Sequence, residues 1–264
     1  MRFGVCTGIE NAEQLKYAAE AGFDYVECRF GFLATATDEE FEAAKAALKE
    51  ANIKCEAANC FIPGEYPIAD SSCDRAGLAA YVEKGMSRGA EIGLKTVVLG
   101  SGGARRIREG VTYREGFLNI SSILAEVISP IAEEYDITVV IEPLRLKECN
   151  IINTVKEGVM LAASSGQHNI QGLADIYHMF ESGDTYDDIR DLKGSLLHAH
   201  ISYPPQDGSH ERYYPKDMDE FDYAGFIDAL NFAGCERCSI EAGCKDFKSE
   251  IAAAGKVFDE LRKI

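Results

Sequence analysis

The 264-residue sequence is short of positive charge: 27 Lys and Arg face 44 Asp and Glu, a formal net charge of −17. That balance argues against a nucleic-acid partner, because such binders draw much of their affinity from neutralising phosphates with Lys and Arg. The one local cluster of cations, Arg105, Arg106 and Arg108, reads as a solvated loop. Long apolar runs are missing too. No stretch approaches the roughly 20 residues that span a bilayer, and the N-terminus has no basic segment leading into an apolar core. The expectation is a cytoplasmic protein with no membrane partner. The nine cysteines are odd in number and scattered, and Cys235-x-x-Cys238 has neither a companion pair nor a nearby His to complete a zinc set. Reduced thiols are expected, with that pair incidental. There is no low-complexity segment, internal repeat or linker rich in Pro, Gly or Ser, so one domain is expected over residues 1–264.

What the sequence does contain is alternation. Strand-like runs at Phe3–Cys6, Phe23–Cys28, Ile53–Asn59, Thr96–Leu99, Thr138–Ile141, a segment ending near Asp175, Leu196–Ile201 and Arg237–Ile240 are separated by helical patterns. Helices are expected from about Asn11 to Ala21, over Asp38–Ala51 with Thr37 as N-cap, and over Ala76–Ile92. A longer one runs from about Tyr113 to Tyr135, where Pro130 should kink or divide it. Others cover Val155–Ser164, Tyr186–Leu192, Phe221–Ala233 and Lys248–Lys263. Eight strand–helix units in one series describe a single (β/α)₈ TIM barrel, an α/β fold. A doubly wound sheet uses the same units, but the count of eight favours closure.

Four of these runs end on a potential metal ligand: Glu142 after Val139-Val140-Ile141, Asp175, His200 in Leu196-Leu197-His198-Ala199-His200, and Glu241 after Cys238-Ser239-Ile240. Side chains at the C-terminal ends of barrel strands converge on one face, so four groups far apart in sequence could meet around one divalent ion. Alternation sends His198 and His200 to the same side of their strand, so geometry excludes neither. His200 lies nearer the mouth, and His198 could be buried and hydrogen-bonded. Glu27 and Asn59 close the second and third strands. For Glu27, a structural role and substrate contact are equally open. Gly100-Ser101-Gly102-Gly103 could meet a phosphate through its amides, but it lacks a phosphate-loop Lys and fits a flexible loop equally well.

The segment from Glu142 to Thr154 resembles the sugar (phosphate) isomerase and epimerase superfamily with the xylose isomerase-like barrel, which includes ketose 3-epimerases and hydroxypyruvate isomerases. Glu142, Glu148 and Asn153-Thr154 match that family's strand-end Glu, second Glu and helix-opening Asn-Thr. Arg145 departs from the Asn-Arg found there in many members. Asp175-Ile176-Tyr177-His178 resembles its Asp-x-x-His motif. His198-Ala199-His200 resembles its seventh-strand motif, Arg212-Tyr213-Tyr214-Pro215 its Arg-x-x-Pro loop, and Ser239-Ile240-Glu241 its eighth-strand Glu.

The resemblance implies that Glu142, Asp175, His200 and Glu241 bind the metal. It also implies that Glu142 and Glu241 are the catalytic acid–base pair, and that Glu148, His178 and Arg212 contact the substrate. The set is hard and mixed in O and N, which suits Mn²⁺ first, with Mg²⁺, Co²⁺ and Zn²⁺ as alternatives. The implied activity is a divalent-metal-dependent isomerisation or epimerisation of a ketose or small hydroxy-carbonyl sugar through an enediolate. A homo-oligomer, dimer or tetramer, is implied too. Competing readings are a phosphodiesterase like endonuclease IV, a lyase or dehydratase on the same barrel, and a non-catalytic sugar-binding barrel. With only five His and an acidic balance, the multi-zinc phosphodiesterase is disfavoured.

Overall fold

The computed structural model describes residues 1–205 and 207–264. Eight parallel strands close into a barrel in sequence order, each paired with the next and β1 with β8. They are β1 (Arg2–Cys6), β2 (Tyr25–Arg29), β3 (Lys54–Asn59), β4 (Thr96–Leu99), β5 (Thr138–Ile141), β6 (Ile170–Asp175), β7 (Leu196–Ile201) and β8 (Arg237–Ile240). The fold is thus the (β/α)₈ TIM barrel expected from the alternation. The helices are α1 (Ala12–Glu20), α2 (Phe30–Thr35), α3 (Asp38–Ala51), α4 (Arg75–Ile92), α5 (Gly102–Arg105), α6 (Tyr113–Ile123), α7 (Ser129–Glu134), α8 (Val155–Ser165), α9 (Ile176–Ser182), α10 (Tyr186–Arg190), α11 (Tyr223–Ala233) and α12 (Phe247–Leu261). Among the described residues, no helix is long and apolar enough to cross a membrane.

Local chemistry sets several of these boundaries. Thr37 caps α3 in a reciprocal box with Glu40: the Thr37 side chain accepts from the Glu40 N–H, and the Glu40 carboxylate accepts from the Thr37 N–H. The helix expected over Tyr113–Tyr135 is divided. Between α6 and α7, Leu124–Ile128 is π-helical, and Pro130 stands in the first turn of α7. Proline offers no N–H to the carbonyl four residues before it, and the chain absorbs the missing bond by widening the preceding turn. Helices α2 and α9, additional to those expected from the sequence, follow their strands with no intervening loop.

Inside the barrel, Tyr25 of β2 is fully buried and its hydroxyl lies 2.8 Å from Ser239 Oγ of β8. Gly4 of β1 makes this possible, because a Cβ there would overlap the Tyr25 ring. Val98, Val140 and Leu173 pack together as a small buried cluster. Strand alternation places Val140 on the same side as Glu142, and Leu173 on the same side as Asp175. The apolar floor therefore lies directly below the polar strand ends. Arg2 and Arg237 both bond the Glu56 carboxylate, at 2.7 and 3.2 Å, tying β1, β3 and β8 together at the opposite end.

Candidate metal centre

Glu142 follows β5, Asp175 and His200 lie in β6 and β7, and Glu241 follows β8. The backbone amides of Glu142 and Glu241 donate to Leu99 O and Ile201 O, both at 3.2 Å, so each residue is held in the line of its strand. One donor atom from each of the four side chains lies within 4.8 Å of the other three. His200 Nδ1 is the hub, 2.9 Å from Glu142 Oε1, 3.3 Å from Glu241 Oε2 and 3.6 Å from Asp175 Oδ2. Asp175 divides its two oxygens. Oδ1 caps α9 by accepting from the amides of Tyr177 (2.7 Å) and His178 (3.0 Å), which leaves Oδ2 facing the other three groups.

The donor set fits a divalent cation. Three carboxylates and an imidazole crowd one small space, with Asp175 and His200 buried and Glu142 nearly so. Glu241 Oε2 is a buried oxygen with no aligned hydrogen bond. Arg212 Nη1 stands 2.8 Å from it as a charge neighbour, and donates a hydrogen bond to Asp175 Oδ2 at 3.4 Å. Arg212 answers part of that charge, but three carboxylates this close together remain costly unless a further cation joins them. The hard, oxygen-dominated set suits Mn²⁺, Mg²⁺, Co²⁺ or Zn²⁺.

Protein surroundings alone push the two glutamates apart. Burial, reinforced by the Glu241 charge, raises Glu142 above the usual carboxylate range against the pull of His200. Burial acts on Glu241 in the same direction, but His200 and Arg212 outweigh it and hold Glu241 below that range. Burial opposes the charged form of His200, yet Glu27, Glu241, Asp175 and Glu142 raise it well above an ordinary histidine.

The remaining residues expected at the site fall around this centre. His178 is buried, and its Nδ1 accepts from the Arg145 amide at 3.2 Å, so its proton is assigned to Nε2. Glu148 pairs with Arg145 at 2.7 Å. Glu148 and Arg212 line a cavity of about 750 Å³ together with Tyr177 and Lys216. A second cavity, about 440 Å³, shares Arg212 and is lined by Glu241, Glu27 and Asn59. Asn59 Nδ2 donates to Glu241 Oε1 (3.2 Å) and to Cys6 Sγ (3.3 Å). Arg212 is held in place by its loop, where Tyr203 and Tyr213 pair antiparallel and Tyr213 bridges to Gly243. The nine cysteines are free thiols, and burial raises Cys235 to about 12.

One expectation from the sequence is corrected by the structure. Arg105 is not in a solvated loop but fully buried, where its Nη1 donates to Glu142 O (2.8 Å) and Leu99 O (3.2 Å). Helix α5 turns the guanidinium under the ends of β4 and β5, where carbonyls are available as acceptors. Charge clustering alone gave no hint of this. Gly100 matters as a neighbour of Glu142: a Cβ there would overlap Glu142 Oε2. We therefore expect Gly100→Ala to displace that carboxylate and weaken Mn²⁺ binding by about tenfold or more, roughly 1.4 kcal/mol, in a calorimetric titration. Unchanged affinity would show that the carboxylate relaxes without leaving the set.

The chain belongs to the family of xylose isomerase-like TIM barrels, whose model matches residues 15–264. A D-psicose 3-epimerase of Agrobacterium fabrum (strain C58) is 24% identical over 192 residues, covering 70% of this chain and 65% of that relative. The chain thus spans just under two thirds of that protein's length. Among solved structures, 3-keto-D-glucoside 4-epimerase YcjR from E. coli superposes with a TM-score of 0.78 at 21% identity, over all of both chains. A D-psicose 3-epimerase crystallised in the presence of D-fructose gives 0.81 at 19% identity, over 100% of this chain and 99% of the other.

Proposed function

We propose that this protein is a divalent-metal-dependent sugar isomerase or epimerase acting on a ketose or a small hydroxy-carbonyl relative, with Mn²⁺ as its ion. In this reading the whole chain serves as one barrel domain. The observation that carries it is the pair of carboxylates, Glu142 and Glu241, which belong to one four-donor cluster but are driven to opposite protonation tendencies by their neighbours. Environments that separate two titratable groups assign the acid and the base. The epimerase names carried by the relatives support the same class.

A divalent ion held by Glu142, Asp175, His200 and Glu241 supplies Lewis acidity toward a carbonyl and its neighbouring hydroxyl. The chain's own residues move the proton. Glu241, held ionised by His200 and Arg212, takes the proton from the carbon beside the carbonyl, and the electron pair left behind delocalises into an enediolate. Glu142, the more readily protonated of the two, returns a proton. Delivery to the opposite face of the same carbon inverts it, and delivery to the adjacent carbon exchanges ketose and aldose. His178, Glu148 and Arg212 hold the substrate's oxygens around the reacting carbon.

The test is a panel of ketoses and hydroxy-carbonyl compounds in D₂O with the Mn²⁺-, Mg²⁺- or Co²⁺-loaded protein, read by NMR. Deuterium should enter one carbon next to the carbonyl of the true substrate. A loaded protein that exchanges no member of the panel would contradict this function.

A further inference from the structure

We propose that Glu27 is a positioning residue, which fixes the nitrogen that His200 presents to the metal and is itself held by His198. The inference rests on the metal-dependent reading above. Glu27 lies in β2, across the barrel from β7, and its side chain is fully buried. Its Oε1 is 2.9 Å from His200 Nε2, and its Oε2 is 2.8 Å from His198 Nε2. Both oxygens are thereby engaged.

A carboxylate accepts but does not donate, so each imidazole meets it as an Nε2–H. For His200 this leaves Nδ1 as the nitrogen directed at Glu142, Asp175 and Glu241, the one that would exchange its proton for an ion among them. His198 has no second role to perform. Its Nδ1 is buried without a hydrogen-bond partner, so its bonding is confined to Glu27. The two rings stand 5.2 Å apart and nearly perpendicular, at 83°, one on each oxygen. Cys6 completes a second cluster with Glu27 and His200. A metal there would have to displace the Glu27–His200 bond, and burial keeps the Cys6 thiol protonated, so Glu27 serves the neighbouring centre instead.

Partners of this kind orient ligand histidines, and their loss typically costs about 10–100-fold in metal affinity. Mn²⁺ titrations read by the electron paramagnetic resonance of the free ion, on wild type, Glu27→Met and Glu27→Gln, test the assignment. Glu27→Met should bind about 10–100-fold more weakly, while its melting temperature with chelator present stays near that of wild type. Glu27→Gln has one acceptor oxygen for two rings and should fall between the two. In the Mg²⁺-loaded wild type, ¹⁵N NMR should show His200 protonated at Nε2 only. Glu27→Met binding Mn²⁺ within about twofold of wild type, or His200 protonated at Nδ1, would overturn the proposal. Should Glu27→Met fail to fold, the Glu27→Gln affinity and the wild-type NMR spectrum decide it. A wild-type chain that takes up no Mn²⁺ would sink the proposed function as well, whereas equal affinities in wild type and variant sink only the role of Glu27.

Discussion

Glu241→Gln is expected to reduce solvent-deuterium incorporation into the substrate by about 10²–10⁴-fold, the range for loss of a positioned base. The substitution keeps the side chain's volume and an oxygen able to accept from Asn59, so the barrel should fold unchanged. What it removes is the charge held ionised beside His200 and Arg212. Because Glu241 is also a candidate ligand, the comparison is made at saturating Mn²⁺. A deficit that persists there belongs to the proton transfer, and one that Mn²⁺ abolishes belongs to binding. Exchange equal to wild type would rule out Glu241 as the base.

Chelation should produce the second large effect. Three carboxylates crowd around His200, and a divalent ion that binds only the folded state stabilises it by about 2.7 kcal/mol at 100 times its dissociation constant. For a chain of this length that corresponds to a melting temperature higher by about 5–10 °C. The same centre ties binding to pH. His200 is pushed up by the surrounding carboxylates despite its burial, so at lower pH its proton competes with the ion for Nδ1. Affinity should therefore fall as the medium is acidified through that pKa, by up to about tenfold per pH unit for one displaced proton. A melting temperature indifferent to Mn²⁺ and to chelator at neutral pH would contradict a metal centre built from these residues.

How much of this the sequence disclosed depended on whether the deciding interaction was local. The strands Thr96–Leu99, Thr138–Ile141, Leu196–Ile201 and Arg237–Ile240 coincide with the apolar runs read for them, since burial on both faces leaves its mark on every residue. Eight such runs implied closure, and closure implies that strand-end groups converge. Glu142, Asp175, His200 and Glu241 could therefore be named together from the sequence. Pro130 announced a break in its helix, because a missing N–H is local, but not that the chain would pass through a π-helical turn.

Other features were invisible because they depend on contacts across the barrel. Glu27 read equally well as structural or substrate-facing, and only the closed barrel sets its two oxygens against His198 and His200. Arg105 looked like surface charge, because nothing in its neighbours reveals that α5 folds it beneath β4 and β5. Gly100 read equally well as part of a phosphate-binding or a flexible loop, and its closeness to Glu142 bridges 42 positions of sequence.

In the function proposed above, one divalent ion held at the ends of β5 to β8 enables proton exchange on a sugar-like substrate. The most direct measurement follows deuterium entry into the substrate identified from the panel, in one preparation as isolated, after chelation, and after return of Mn²⁺. Exchange should vanish on chelation and recover fully with one equivalent of Mn²⁺ per chain, and Asp175→Ala should not recover under the same conditions. Exchange that survives chelation, or that Asp175→Ala recovers as well as wild type, would contradict the claim.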